Sequence, residues 1–201
     1  QDLIPKAYVK ELRELQDNVP PFDDELARRI IEKELGSNSA DKTRVVLNQG
    51  KPIASASLGQ VYRANLKTEG GENIDVAVKV QRPGALVAIS LDIGIIRSFA
   101  EPWRKFKGLN SDLEGIIDEW GKRFIAELDY LAEARNGQLF REAMESRQDL
   151  ANVVTAAPVY TSATTRKVLT TGWINGARLD ESKEGDIPKL CAVALTAYLS
   201  M

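Results

Sequence analysis

The alternation of apolar and polar positions is sharpest in the stretch that ends at Val80. Ile74, Val76, Val78 and Val80 fall on one side of a period-two pattern, and Asp75, Ala77 and Lys79 on the other. This predicts a strand with a buried valine face and a lysine on the opposite face. Val61 and Tyr62 open an earlier strand, and Thr68-Glu69-Gly70-Gly71-Glu72-Asn73 is a turn cluster that would join the two as a hairpin. A short strand at residues 44–47 feeds a turn of small side chains, Pro52-Ile53-Ala54-Ser55-Ala56-Ser57-Leu58-Gly59-Gln60. Small side chains let backbone amides approach a ligand closely, and such amides attract phosphate oxygens. The Lys79 amine could reach back toward that turn. On the hairpin alone, an ordinary half-exposed pair of strands with a solvated lysine reads equally well, because most strand lysines face water.

Helical spacing dominates elsewhere. Pro5 fits a first helical turn, and Tyr8, Leu12, Leu15 and Val19 follow at helical intervals until Pro20-Pro21 stops them. A second helix is expected over residues 23–35, with Leu26, Ile30 and Ile31 on one side and Gly36-Ser37-Asn38-Ser39 closing it. The two read as a helical hairpin packed on the next unit. After Gln81-Arg82-Pro83-Gly84 a helix is predicted over residues 85–99, with Leu86, Ile89, Ile93 and Ile96 as its stripe and Pro102 as its interruption. Trp103 and Phe106 read as core or lobe-contact aromatics. Ser111 and Glu114 form a possible capping box for one long helix, whose apolar side runs Leu113, Ile116, Ile117, Trp120, Phe124, Leu128, Leu131, Leu139. Within it, Asp129 and Glu133 are four apart and share a face. Like charges there repel by a few tenths of a kcal/mol, about what one cation would offset. Lys79 is a candidate for that cation; a solvated acidic patch balanced by Arg123 and Arg135 is the alternative.

These residues carry a resemblance. The strand Val76-Ala77-Val78-Lys79-Val80 resembles the Val-Ala-Ile-Lys strand of protein kinases. The Ala/Ser turn stands where ordinary kinases have a Gly-rich loop. Together they resemble the AarF/UbiB family of atypical kinases, called ADCK in animals, whose alanine-rich loop lies about 20 residues ahead of the strand lysine. Glu127-Leu128-Asp129 is similar to the family's Glu-x-Asp motif, and Glu133 falls where the family keeps the glutamate that pairs with the strand lysine. The resemblance implies an α+β fold. Residues 1–38 would be a helical extension, 39–175 a protein-kinase-like N-lobe of antiparallel sheet and long helix, and 176–201 the hinge exit and the start of a helical C-lobe.

The same resemblance implies the site. Lys79 and Glu133 would form the catalytic ion pair that holds the nucleotide phosphates. Ala54, Ser55, Ala56, Ser57, Gly59 and Gln60 would line the nucleotide. Glu127 and Asp129 would contact the family's Lys-x-Gly-Gln element, which is expected just before Gln1, or a metal on the nucleotide; no metal ligand is otherwise assigned. After an antiparallel pair involving Val153-Val154, Pro158-Val159-Tyr160 and residues 167–171, Gly172 and Ile174 would supply hinge backbone groups to adenine. Many family members carry an acidic residue where Gly172 stands. The implied cofactor is ATP or ADP with Mg. The implied activity is an atypical kinase or ATPase supporting isoprenoid-quinone or prenyl-lipid metabolism, in contact with membrane lipid, quinone intermediates or a membrane-bound complex.

Composition narrows the alternatives. With 43% hydrophobic and 28% charged residues the chain is of ordinary globular type, and a net charge of −2 gives no footprint for nucleic acid. Cys191 is the only cysteine, so no intrachain disulfide can form. No apolar run reaches the roughly 18 residues a spanning helix needs. The chain starts at Gln1 and ends at Met201 inside an apolar stretch, so both ends are expected to be limits of a longer protein, and no targeting segment is legible. It has no histidine, and after Glu133 only Asp149, Asp180 and Asp186 remain, none in a catalytic-loop or Asp-x-Gly setting. By itself this chain is therefore expected to be a poor ATPase, active only with a second lobe. The competing readings are a non-catalytic, pseudokinase-like scaffold of a membrane complex and a plain α+β interaction domain. Trp173 after Thr170-Thr171 is similar to plastid members. That favours a chloroplast setting, plastoglobule or thylakoid, over the mitochondrial inner membrane, with a bacterial one left open.

Overall fold

The computed structural model describes residues 19–36, 44–48, 50–68, 70–108, 110–177 and 186–199. The expected first helix around Pro5, the stop at 37–39 and Asp180 lie outside the described residues. In chain order the elements are α1 (Asp24–Gly36), β1 (Arg44–Leu47), β2 (Ala54–Ser55), β3 (Gly59–Lys67), β4 (Asn73–Gln81), α2 (Ala85–Lys107), α3 (Leu113–Ala126), α4 (Tyr130–Glu145), a 3-10 turn (Thr161–Ala163), β5 (Val168–Gly172) and α5 (Ile187–Tyr198). The fold is α+β, an antiparallel sheet with helices, as the resemblance implies.

The sheet order is β1-β3-β4-β5, with β2 also paired to β3. β1 and β2 share one flank of β3, β1 opposite Ala64 to Lys67 and β2 opposite Gln60 and Val61. The β3–β4 hairpin turns at Thr68, whose carbonyl accepts from Gly71 N–H at 2.9 Å. Gly71 sits there at φ 80°, a conformation that suits glycine.

The sheet has two unlike faces. Tyr62, Ala64, Leu66, Val76, Val78, Val80 and Val168 form a buried layer that α1 covers with Ala27 and Ile31. The valine face and the packing of the second helix of the extension are as expected. The opposite face carries Val61, Lys79 and Leu169, adjacent in register on β3, β4 and β5. There Tyr130 and Ala134 of α4 pack with Leu169. A third cluster, Met144, Leu150 and Ala197, joins the end of α4 to α5.

Four expectations are corrected. The single long helix is two: α3 ends at Ala126 and α4 begins at Tyr130. Gln81 Nε2 donates to the Leu128 carbonyl at 2.7 Å, and Asp129 Oδ1 accepts from Leu131 N–H at 3.1 Å. A tertiary anchor and a cap thus stop one helix and restart the next. Pro102 does not interrupt α2, which runs on to Lys107 and ends at the left-handed Gly108. Its missing N–H frees a carbonyl one turn back, at Ser98, which is exposed to water. The cap of α3 is Asp112, accepting from Gly115 N–H at 3.0 Å, and not Ser111 with Glu114. Finally, the apolar residues of α2 and α3 are largely outside the core. Leu86, Ile96, Ile116, Trp120 and Phe124 are exposed, as is Leu139 on α4, while Trp103 is 55% and Phe106 79% accessible. The two helices meet at Gly121 and Ile93, where a Cβ at Gly121 would lie 3.1 Å from the Ile93 side chain.

Candidate functional site

Register delivers Lys79 to the face opposite the valines, directly beside Val61 on β3 and Leu169 on β5. Its Nζ donates to both Glu133 oxygens, at 2.9 and 2.7 Å. The two side chains are 34% and 45% accessible, so the pair adds only about 0–1 kcal/mol to stability. A bridge of this exposure is a poor fold anchor and a reachable charge. Glu133 stands in the first turn of α4, three residues after Tyr130, so both project from one helix face. The Lys79 ammonium lies over the Tyr130 ring, 4.6 Å from its centroid.

The small-residue turn lies at the same end of the sheet. Ile53 N–H donates to the Val61 carbonyl at 2.7 Å, Ala56 N–H to the Gly59 carbonyl at 2.8 Å, and the Leu58 carbonyl accepts from Arg82 N–H at 2.8 Å. Ser57 and Leu58 form the tip, and their amides donate to no described residue. Ala54, Ala56 and Ser57 are exposed, and Ser55 is half-buried. Gly59 is required by contact: a Cβ there would sit 2.5 Å from the Val80 carbonyl oxygen and 2.7 Å from the Tyr130 hydroxyl.

Gln60 faces away from this cleft. Its amide is fully buried against α1, donating to the Phe22 carbonyl at 3.2 Å and accepting from Phe22 N–H at 3.1 Å. It also donates to the Tyr62 hydroxyl, which donates to Asp24 Oδ1 at 2.8 Å. The reason is strand parity: Gln60 shares the face of Tyr62 and Val80. A nucleotide-lining role for its side chain is thus corrected to a structural one. Arg82 works from the same side. It donates to the Pro20 carbonyl at 2.9 Å and the Ala56 carbonyl at 3.3 Å, and lies over the Phe22 ring. The extension and the turn are therefore fastened to common residues.

The acidic motif separates into distinct jobs. Glu127 ends α3 with its side chain exposed. The Asp129 carboxylate caps α4, so the cation expected to offset both Asp129 and Glu133 serves Glu133. Asp186 caps nothing with its side chain.

At the far edge, the expected antiparallel pair is reduced to one bridge, Val159 to Thr171. Val153 lies in a turn and Val154 in an irregular segment, neither in a strand. Gly172 N–H donates to the Pro158 carbonyl at 2.8 Å, so that amide is already spent within the fold. A Cβ at Gly172 would lie 2.7 Å from the Pro158 ring, which accounts for glycine here in physical terms. Ile174 is exposed, and its backbone is bonded to no other described residue. Beside it, Arg63 spans Asp75 and Trp173, with its Nε 2.9 Å from Asp75 Oδ2 and its guanidinium 4.8 Å from the indole centroid. The Arg63 hydrogen bonds hold the Asp75 carboxyl below the usual carboxylate range.

Sequence reasoning missed Tyr130 and Arg82. The i, i+3 spacing of Tyr130 to Glu133 carried a signal for the first; nothing local marked the second.

A strand lysine salt-bridged to a helix glutamate beside a small-residue turn, on a five-stranded antiparallel sheet, defines a protein-kinase-like N-lobe. The chain belongs to the ABC1 atypical kinase-like domain family, whose model matches residues 14–197. It is 43% identical over 180 residues to a chloroplastic aarF domain-containing protein kinase of Arabidopsis thaliana, covering 90% of this chain and 25% of that protein. It is 40% identical over 181 residues to the chloroplastic Activity of BC1 Complex Kinase 3 of the same plant, covering 90% and 24%. The chain thus spans about a quarter of the length of these relatives. Among solved structures it is similar to Rv3197 of Mycobacterium tuberculosis, determined with erythromycin, at a TM-score of 0.62 and 28% identity, covering 90% of this chain and 43% of that one.

Proposed function

We propose that this chain is the nucleotide-gripping half of an atypical kinase or ATPase, one that supports isoprenoid-quinone or prenyl-lipid metabolism at a plastid membrane. The observation that carries the reading is the bidentate Lys79–Glu133 pair beside the small-residue turn. Lys79, oriented by Glu133, would neutralise phosphate oxygens of ATP or ADP. The unspent Ser57 and Leu58 amides would approach the same oxygens. Ile174 would offer its backbone to adenine. The nucleotide's Mg would reach this half through Glu127, whose carboxylate is exposed. Bound Mg-nucleotide supplies the transferable phosphoryl group, and this half supplies grip and orientation. The chloroplastic relatives support the plastid setting. No described helix is long and apolar enough to cross a membrane. A second, scaffold reading rests on the exposed apolar residues of α2 and α3, which suit docking.

The test is Mg-nucleotide titration of the wild type, Lys79→Ala and Glu133→Gln. Both variants are expected to bind about tenfold or more weakly, while melting temperatures move little because the pair is half exposed. Normal binding by Glu133→Gln would refute the assigned pairing. Absence of nucleotide binding by the wild type would favour the scaffold.

A further inference from the structure

The Tyr130 hydroxyl presents an unpaired polar group in a fully buried side chain. A buried hydroxyl without a partner costs roughly 1–3 kcal/mol, so phenylalanine would suit this pocket better on stability alone. Burial, and then the nearby Glu133 carboxylate, push the phenol above the ordinary tyrosine range, so it stays a neutral hydroxyl. Three contacts surround it. The ring face lies under the Lys79 ammonium at 4.6 Å. The hydroxyl end reaches the space a Gly59 Cβ would take, beside the Val80 carbonyl. The backbone N–H donates to the Arg166 carbonyl at 3.3 Å, pinning the start of α4 to the segment before β5. Tyr130 thus touches the strand lysine at one end and the small-residue turn at the other.

We propose that Tyr130 is a positioning residue for Lys79: its ring holds the ammonium over the cleft while Glu133 holds it from the side. This rests on the reading of the cleft as a Mg-nucleotide site. The ammonium has three donor hydrogens. Glu133 takes two directions, the ring face blocks retreat toward the sheet, and the remaining direction is left for a phosphate oxygen. A flexible lysine would otherwise lose part of its grip to side-chain entropy.

The experiment uses the full chain with Tyr130→Phe, which keeps the ring, and Tyr130→Leu, which removes it. Isotope-labelled lysine NMR is recorded without nucleotide, with Lys79→Arg assigning the Lys79 signal. The expected result is an upfield, ring-shifted Lys79 ε-methylene in wild type and in Tyr130→Phe, with the shift lost in Tyr130→Leu. Mg-ADP affinity is then expected to fall about fivefold in Tyr130→Leu and to stay within about twofold in Tyr130→Phe. A wild-type Lys79 signal among the bulk lysines overturns the proposal, and this readout does not depend on nucleotide. Equal affinity in all three proteins also overturns it. If Tyr130→Leu does not fold, Tyr130→Trp replaces it: a ring of different reach should keep the ring shift but alter affinity, and unchanged affinity would overturn the proposal. A ring-shifted Lys79 in a protein that binds no Mg-ADP would sink the nucleotide reading and, with it, the positioning role.

Discussion

Gly59→Ala adds one methyl group where the turn meets the sheet. Its Cβ would lie 2.5 Å from the Val80 carbonyl oxygen and 2.7 Å from the Tyr130 hydroxyl. The first neighbour is backbone, held in the β3–β4 ladder through the Gly59–Gln81 and Gln60–Val80 pairs, so it cannot rotate aside. The second is a rigid ring end in a closed pocket. Relief needs a separation of β3 from β4 of more than half an ångström at the end of the hairpin away from its turn. Overpacking of this kind costs about 1–3 kcal/mol, which for a chain of this size lowers the melting temperature by about 4–8 °C at the middle of that range. Circular-dichroism melts of the single variant and of Gly59→Ala with Tyr130→Phe test this. Removing the hydroxyl removes one of the two close approaches and a buried unpaired group, so the double variant should recover part of the loss. The two substitutions would then be non-additive, as contacting sites usually are. A single variant that melts within about 1 °C of wild type would refute the reasoning, because the ladder would then be free to part.

The other predictions follow from contacts already described. Gln60→Leu strands the half-buried Phe22 N–H and carbonyl, at up to about 1–3 kcal/mol for each, so hydrogen exchange in α1 should accelerate more than in β4; equal acceleration would argue against this tie. Asp112→Ala removes the cap of α3 and should cost about 1 kcal/mol, a fall of about 2–4 °C in melting temperature. Arg63 depresses the Asp75 carboxyl, so the folded pKa lies below the unfolded one. The bridge's contribution is present above the unfolded value and is lost as pH falls through the folded value; Asp75→Asn should therefore flatten the acid limb of the stability curve below about pH 4.

The period-two pattern at Ile74–Val80 read correctly because burial of one sheet face leaves little freedom: a one-residue slip would bury Lys79 and expose three valines. Lys79 and Glu133 meet as the resemblance implied. Several of the misreadings share a cause in contacts distant along the chain. The break at 127–129 depends on Gln81, 47 residues before Leu128. The inward turn of Gln60 depends on Phe22, 38 residues earlier. The apolar stripes of α2 and α3 have true helical spacing, but spacing states that a face is apolar and not what covers it. Gly172 is legible only once Pro158 is beside it.

The α1 latch bears on the order in which this chain can fold. Its helix packs on β4 and β5, and Glu34 accepts a hydrogen bond from Thr165 Oγ at 2.9 Å, 131 positions away. A helix made before the sheet thus finds its full seat only after β5 has been made. At ribosomal speeds of roughly 5–20 residues per second, that interval lasts about 7–26 seconds. Until it ends, the faces of Ala27 and Ile31 and the valines of β4 have no complete partner. Loop closure over such distances is slow, so collapse should begin at the β3–β4 hairpin and α1 should dock late. Among the described elements, the helix that braces the turn in the finished molecule is thereby the one that waits longest for its seat.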